Sequence, residues 1–171
     1  MKQLLIILLI NIAVAGQAQQ TSFSKKIDSI SKVIDKDTQL KKKKYDQEEF
    51  MEQITDEGGV LTVYHKNNVI YKMKELVGLS YGVIIRTYYF KNKELLLVKE
   101  EEYPYDTDVN GNINKEKLSK NDLFVGKYYF KNDKLVDAES LGHNRFEDER
   151  NDAEKEYLLL AKKYINLFSR K

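Results

Sequence analysis

The segments VYHKNNVIYKMKE (63–75), YYFKNKELLLVKE (88–100) and YYFKNDKLVDAES (128–140) are three versions of one pattern. Each begins with an aromatic or β-branched pair, continues through an aromatic residue or His to Lys-Asn, and ends in an apolar run that turns charged. Asn67, Asn92 and Asn132 therefore fall at equivalent turn positions. A two-residue hairpin turn with the favoured twist needs positive φ, which Asn tolerates better than most residues carrying a Cβ. Three hairpins predict six antiparallel strands over residues 58–141. Their offsets of 25 and 40 residues exclude a fixed-period solenoid and favour a consecutive meander.

Outward from this centre the periodicity turns helical. Phe23, Ile27, Ile30 and Ile34 recur on one face, predicting an amphipathic helix over 22–36 inside an N-terminal helical region, residues 19–57. Tyr157, Leu160, Ala161, Tyr164 and Phe168 form one stripe of a C-terminal helix within residues 142–171 that packs on the sheet. The expected fold class is α+β: an N-terminal helix, a six-stranded antiparallel β-meander and a C-terminal helix, with 19–171 as one domain.

The first residues, MKQLLIILLINIAVAGQAQQ, combine Lys2, an apolar run from Leu4 to Ala15 and small residues, which is the pattern of an export signal. Residues 1–18 are read as a signal peptide cleaved before Gln19, because the apolar run is shorter than the roughly 20 residues a spanning helix requires. The expectation is an exported protein, periplasmic or secreted, with no stable membrane anchor after cleavage. The chain has no cysteine, which removes disulfides, thiolate metal sites and cysteine nucleophiles.

Net charge is +2 and is polarised along the chain: residues 19–45 hold eight lysines against three aspartates, whereas 46–57 hold six acids and no base. KKKK at 41–44 reads as a solvated helix face or linker, and export argues against a nucleic-acid partner.

On the strands both faces carry large side chains, as in Ile85-Arg86-Thr87-Tyr88-Tyr89-Phe90. A sheet with one buried face should alternate apolar and polar residues. With both terminal helices on one side, a second, tyrosine-lined surface made of Tyr64, Tyr71, Tyr81, Tyr89 and Tyr129 becomes the candidate binding face. The competing reading packs these rings at the sheet edges with their hydroxyls in water.

DTDVNGNINKEK (106–117) matches the early positions of a calcium loop: Asp106, Asp108, Asn110 and Asn114 offer side-chain oxygens, Asn112 a carbonyl, and Gly111 the sharp turn. Lys117 stands where the closing acid belongs. The segment resembles an incomplete EF-hand or dockerin-type loop, and calcium is the one metal it implies. The alternative is a turn in which Asp and Asn side chains cap local amides.

The repeated hairpins and leader together resemble small secreted bacterial proteins of unassigned function in which a YYF-x-N unit recurs in a β-meander. That resemblance implies fold and compartment and carries over no functional residue.

No catalytic motif surrounds His65 or His143, and Glu100 and Glu102, the acids of 100–102 that share a sheet face, read as a charged strand end. The chain is expected not to be an enzyme. Three functions fit: an exported binding module for a protein partner, such as an inhibitor or immunity-type factor, using the tyrosine face or an edge strand; a small-ligand carrier with a tyrosine-lined concave sheet; or a calcium-stabilised structural domain.

Overall fold

The computed structural model describes residues 22–119, 123–142 and 150–170. The proposed leader with its cleavage site, and His143, lie outside them. Residues 22–36 form helix α1. There follow β1 (Lys41–Asp46), the single turn α2 (Gln47–Phe50), β2 (Gly59–Lys66), β3 (Val69–Leu79), β4 (Gly82–Lys91), β5 (Glu94–Thr107), β6 (Ile113–Leu118), β7 (Phe124–Lys131), β8 (Lys134–Leu141) and α3 (Arg150–Ser169).

The α+β class and the antiparallel sheet agree with the sequence, but the sheet has eight strands, not six. Its main path runs β1-β2-β3-β4-β5-β7-β8, with β6 paired to the far end of β5. β2–β3, β4–β5 and β7–β8 are the three predicted hairpins. Their turns have positive φ at both central residues: Asn67 and Asn68, Asn92 and Lys93, Asn132 and Asp133. That geometry twists the strands in the sense the sheet requires.

Each hairpin also carries a bulge at the same repeat position, between Tyr64 and His65, Tyr89 and Phe90, and Tyr129 and Phe130. The extra residues opposite are Tyr71, Leu96 and Val136. A bulge sets two residues of one strand against one of its partner. Leu96 and Leu97, adjacent in sequence, thus both join the apolar cluster beneath α1.

Two apolar clusters, one on each side, explain the large residues on both faces. Under α1, Ile27 and Ile34 meet Tyr89, Leu97 and Tyr129. On the opposite side α3 lays Ala153, Tyr157, Ala161 and Tyr164 on Leu61, Met73, Tyr88, Val98 and Tyr128. The expectation that both helices share one side is therefore corrected: each covers a different face. The polar residues of α1 take part in this packing. Ser24 and Ser31 are in fact buried against the sheet, and Asp28 and Asp35 point their carboxylates at tyrosine hydroxyls.

β1 is the second correction. Four identical residues carry no visible alternation, so KKKK at 41–44 hides a strand whose period shows only in contacts. The Lys43 ammonium lies over the rings of Tyr45 and Phe168 on the α3 side, and that of Lys42 over Tyr64 on the α1 side. Lysine stems cover aromatic surface while their heads stay wet, and lysines on an edge strand oppose edge-to-edge association.

β5 is longer than the repeat predicts. It continues through Pro104, which pairs with Gly82 of β4. Its ladder with β7 has ended by then, at Glu102–Phe124, so the missing amide of Pro104 interrupts no bond to that strand. The Pro104 carbonyl accepts the Ser119 amide at 2.8 Å as the chain returns from β6.

Candidate functional site

The five tyrosines of the candidate binding face do not share one exposed surface. Tyr89 and Tyr129 are 3 % and 0 % exposed. The Tyr89 hydroxyl lies 3.0 Å from Asp35 Oδ2, and that of Tyr129 lies 3.3 Å from Asp28 Oδ1. Tyr64 is half-buried between the ammonium groups of Lys42 and Lys72, which stand 5.5 and 4.4 Å from its ring centre. Tyr71 stands at the margin of the α1 cluster, and only Tyr81, in the β3–β4 turn, is largely exposed, at 56 %. Helix α1 covers Tyr89 and Tyr129, with Tyr64 and Tyr71 at its margin.

What α1 leaves can be read from the register. Its apolar contacts stop at the row Tyr64–Lys72–Tyr89–Leu97–Tyr129. One step further along the strands, on the same face, the row is Lys44–Thr62–Lys74–Thr87–Lys99–Lys127–Glu139, polar across the whole sheet. Lys127 is paired with Asp28 and Glu139, whereas Lys44, Lys74 and Lys99 have no carboxylate partner among the described residues. The Lys99 ammonium sits 4.9 Å over the Tyr89 ring.

A further step brings an apolar row again: Val60, Leu76, Ile85 and Val125, interrupted by Glu101 and ending at the exposed Leu141. The first four are half-buried and belong to neither core cluster. Tyr103, beyond them, donates its hydroxyl to Glu101 at 2.8 Å, and that bond holds its proton above the ordinary tyrosine range. The result is an apolar strip on a regular sheet, bounded on one side by lysines.

The opposite face holds a charged cluster that includes Glu100, which the sequence suggested as part of a charged strand end. Glu75, Arg86 and Glu100 are direct cross-strand neighbours on β3, β4 and β5. All three are buried, Glu100 completely. Arg86 Nε donates to Glu100 Oε2, and Nη1 to Glu75 Oε2 at 3.3 Å. The remaining capacity of Glu75 is taken by the Tyr164 hydroxyl at 2.8 Å and the Tyr88 hydroxyl at 3.3 Å. Burial pushes the Arg86 proton affinity down, but Glu75 and Glu100 outweigh it and hold the guanidinium above its usual value. The same burial, reinforced by Glu75, raises both tyrosines.

A signal for this cluster was present. Glu75 and Glu100 are the last residues of the first two repeat segments, and Arg86 is a lone charge inside VIIRTYYF. The cluster's members bridge three adjacent strands and, through Tyr164, helix α3. His65 lies half-buried with its ring 4.9 Å from that of Phe168.

The calcium-like segment closes the β5–β6 hairpin. Asp108 Oδ1 accepts the amides of Asn110 and Asn112 at 2.8 and 2.9 Å, and Oδ2 accepts the Asn112 side-chain amide at 2.9 Å. The Asn112 carbonyl takes the Asp108 amide, Gly111 adopts φ +82°, and Asn114 Oδ1 takes the Glu116 amide. Asp106 holds the Lys117 ammonium at 2.5 Å. Lysine thus supplies the cation at the position where a calcium loop has its closing acid. Asp106 is lowered by Lys117, and Asp108 by the Asn112 side chain and the loop amides.

No protein-family model, curated protein or solved structure matches the chain. Among the described residues, no helix is long and apolar enough to cross a membrane.

Proposed function

We propose that the protein is an exported, non-catalytic binding module that grips a protein partner with the sheet face beyond α1. The observation that carries this reading is the strip Val60–Leu76–Ile85, continued past Glu101 by Val125, half-exposed and outside both cores, lying directly behind Lys44, Lys74 and Lys99. Apolar surface framed by polar residues is the usual composition of an interaction patch. Lysines without carboxylates of their own select a partner whose rim is acidic, and they speed its encounter.

The sheet face is favoured over the free edge of β1, where four lysines oppose strand addition. Affinity capture from the envelope fraction tests the reading. The parent protein is expected to retain one stoichiometric partner, and the Lys74→Glu/Lys99→Glu variant, with unchanged melting temperature, to lose it at least ten-fold. A partner held equally by both proteins, or none held by the parent, rejects the proposal.

A further inference from the structure

A second surface, remote from the strip, carries its own ligand chemistry. Between α1 and the hairpin ends runs a groove of about 410 Å³. Ile30, Val33 and Ile34 wall it on the helix side and Tyr71 on the sheet side, with the Phe90–Lys91 hairpin end at its margin. Its polar margin is confined to Lys26, Ser29 and Lys91. On the helix, residues 26, 29, 30, 33 and 34 fall on one stripe, so Lys26 stands at one end of the apolar wall. Val33 is 70 % exposed although it lies in that wall, leaving apolar surface open to solvent.

The charge arrangement decides what fits. Both acids of α1 face the sheet, Asp28 toward Lys127 and Tyr129, and Asp35 toward Lys72 and Tyr89. The helix's outward charges are consequently all positive: Lys25, Lys26, Lys32 and Lys36 make no ion pair with any described residue, and neither does Lys91 across the groove. An open apolar groove with unneutralised ammonium groups at its margin complements a molecule with one hydrocarbon chain and one anionic head. The volume lies within the range of small-molecule sites, and apolar walls with a few convergent polar groups are their usual lining.

We propose that this groove binds a free long-chain carboxylate, with the hydrocarbon along Ile30, Val33 and Tyr71 and the carboxylate between Lys26 and Lys91. The site is separate from the partner strip and stands or falls independently of it.

Calorimetric titration with dodecanoate below its aggregation concentration, using protein recovered after export, is the test. Saturable one-to-one binding is expected. Dodecanol and dodecyltrimethylammonium should bind at least ten-fold more weakly, because neither offers an anion to the lysines. Val33→Asp should abolish binding, and Lys26→Glu/Lys91→Glu weaken it ten-fold or more. All substituted side chains lie at the surface or margin, and circular dichroism verifies the fold. Lys74→Glu/Lys99→Glu should bind dodecanoate like the parent. Absence of saturation, equal binding of the alcohol or the cation, or indifference to Val33→Asp overturns the proposal. So does binding of anionic phospholipid vesicles or an acidic amphipathic peptide in preference to the free acid.

Discussion

Glu100 is completely buried, and its carboxylate rests on the guanidinium Nε of Arg86, its direct neighbour on the adjacent strand. Glu75 holds the other end of the same guanidinium. Removing one member of a buried ion network strands the others, at a cost of about 3–5 kcal/mol. Arg86→Met is therefore expected to lower unfolding free energy by that amount in urea titrations. The triple variant Glu75→Leu/Arg86→Met/Glu100→Leu should recover part of the loss. It should still fall short of the parent, because the hydroxyls of Tyr88 and Tyr164 lose their acceptor, at about 1–3 kcal/mol for each one left unsatisfied. A cost below about 1 kcal/mol for Arg86→Met would show that the cluster is not what holds β3, β4 and β5 in register.

Those hydroxyls, with Tyr129, are expected to set the alkaline limit of the fold. Burial and neighbouring carboxylates hold Tyr88 and Tyr164 protonated beyond the ordinary range, and Tyr129 is pushed up to about 12. In the unfolded chain a tyrosine ionises near pH 10. A group whose folded pKa is raised keeps its protons more tightly when folded. Its contribution is present in full below about pH 10 and is lost as pH rises toward the folded value. Unfolding free energy should be flat from pH 7 to 9 and fall steeply from about pH 10 to 12, with tyrosinate absorbance appearing together with unfolding. Phenolates that titrate near pH 10 in a protein still folded would contradict the assignment.

Why the hairpins were legible and the faces were not follows from where each signal resides. Asn67, Asn92 and Asn132 are local: a turn with positive φ restricts its own residues, so the repeat announces itself in sequence. The bulges opposite Tyr64, Tyr89 and Tyr129 are also local in effect, but they shift the two-residue period, making Leu96-Leu97 look like evidence for two conflicting faces. The choice of face for α1 depends on Asp28 and Asp35 meeting Tyr129 and Tyr89, partners 101 and 54 residues away. No spacing within the helix distinguishes an aspartate facing solvent from one facing a phenol. Of the five tyrosines, Tyr89 and Tyr129 spend their hydroxyls on the chain's own helix.

The second hairpin turn has a substitution that should improve it. Asn92 and Lys93 have φ +53° and +69°, and lysine is the costlier occupant because its Cβ crowds the backbone in that region. Lys93→Gly relieves the strain while adding entropy to the unfolded chain, so a net gain of about 0.5–1 kcal/mol is expected. The urea midpoint should rise with no change in slope. Asn68→Gly, at the matching position of the first turn, should gain less, since asparagine already tolerates this conformation. Destabilisation by Lys93→Gly would mean that the lysine side chain, not the turn backbone, governs this position.

At the β5–β6 hairpin the two aspartates depend on different partners, and titration can separate them. Asp106 is held below the usual carboxylate range by Lys117, and Asp108 by the Asn112 side chain and loop amides. Lys117→Ala should return the Asp106 carboxyl toward its ordinary value in carbon-detected NMR titrations and leave Asp108 low. Asn112→Ala should do the reverse, because Asp108 loses its side-chain donor while the Lys117 ammonium stays on Asp106. The ammonium occupies an oxygen that calcium would need, and the position it comes from is where calcium loops place their closing acid. Lys117→Glu removes the competitor and adds a carboxylate in one step. Its melting temperature should therefore rise with millimolar calcium by more than the parent's, as ligand linkage requires for the tighter site. An equal response in the two proteins would show that Lys117 is no obstacle and that the ion, where it binds, uses other oxygens of the loop.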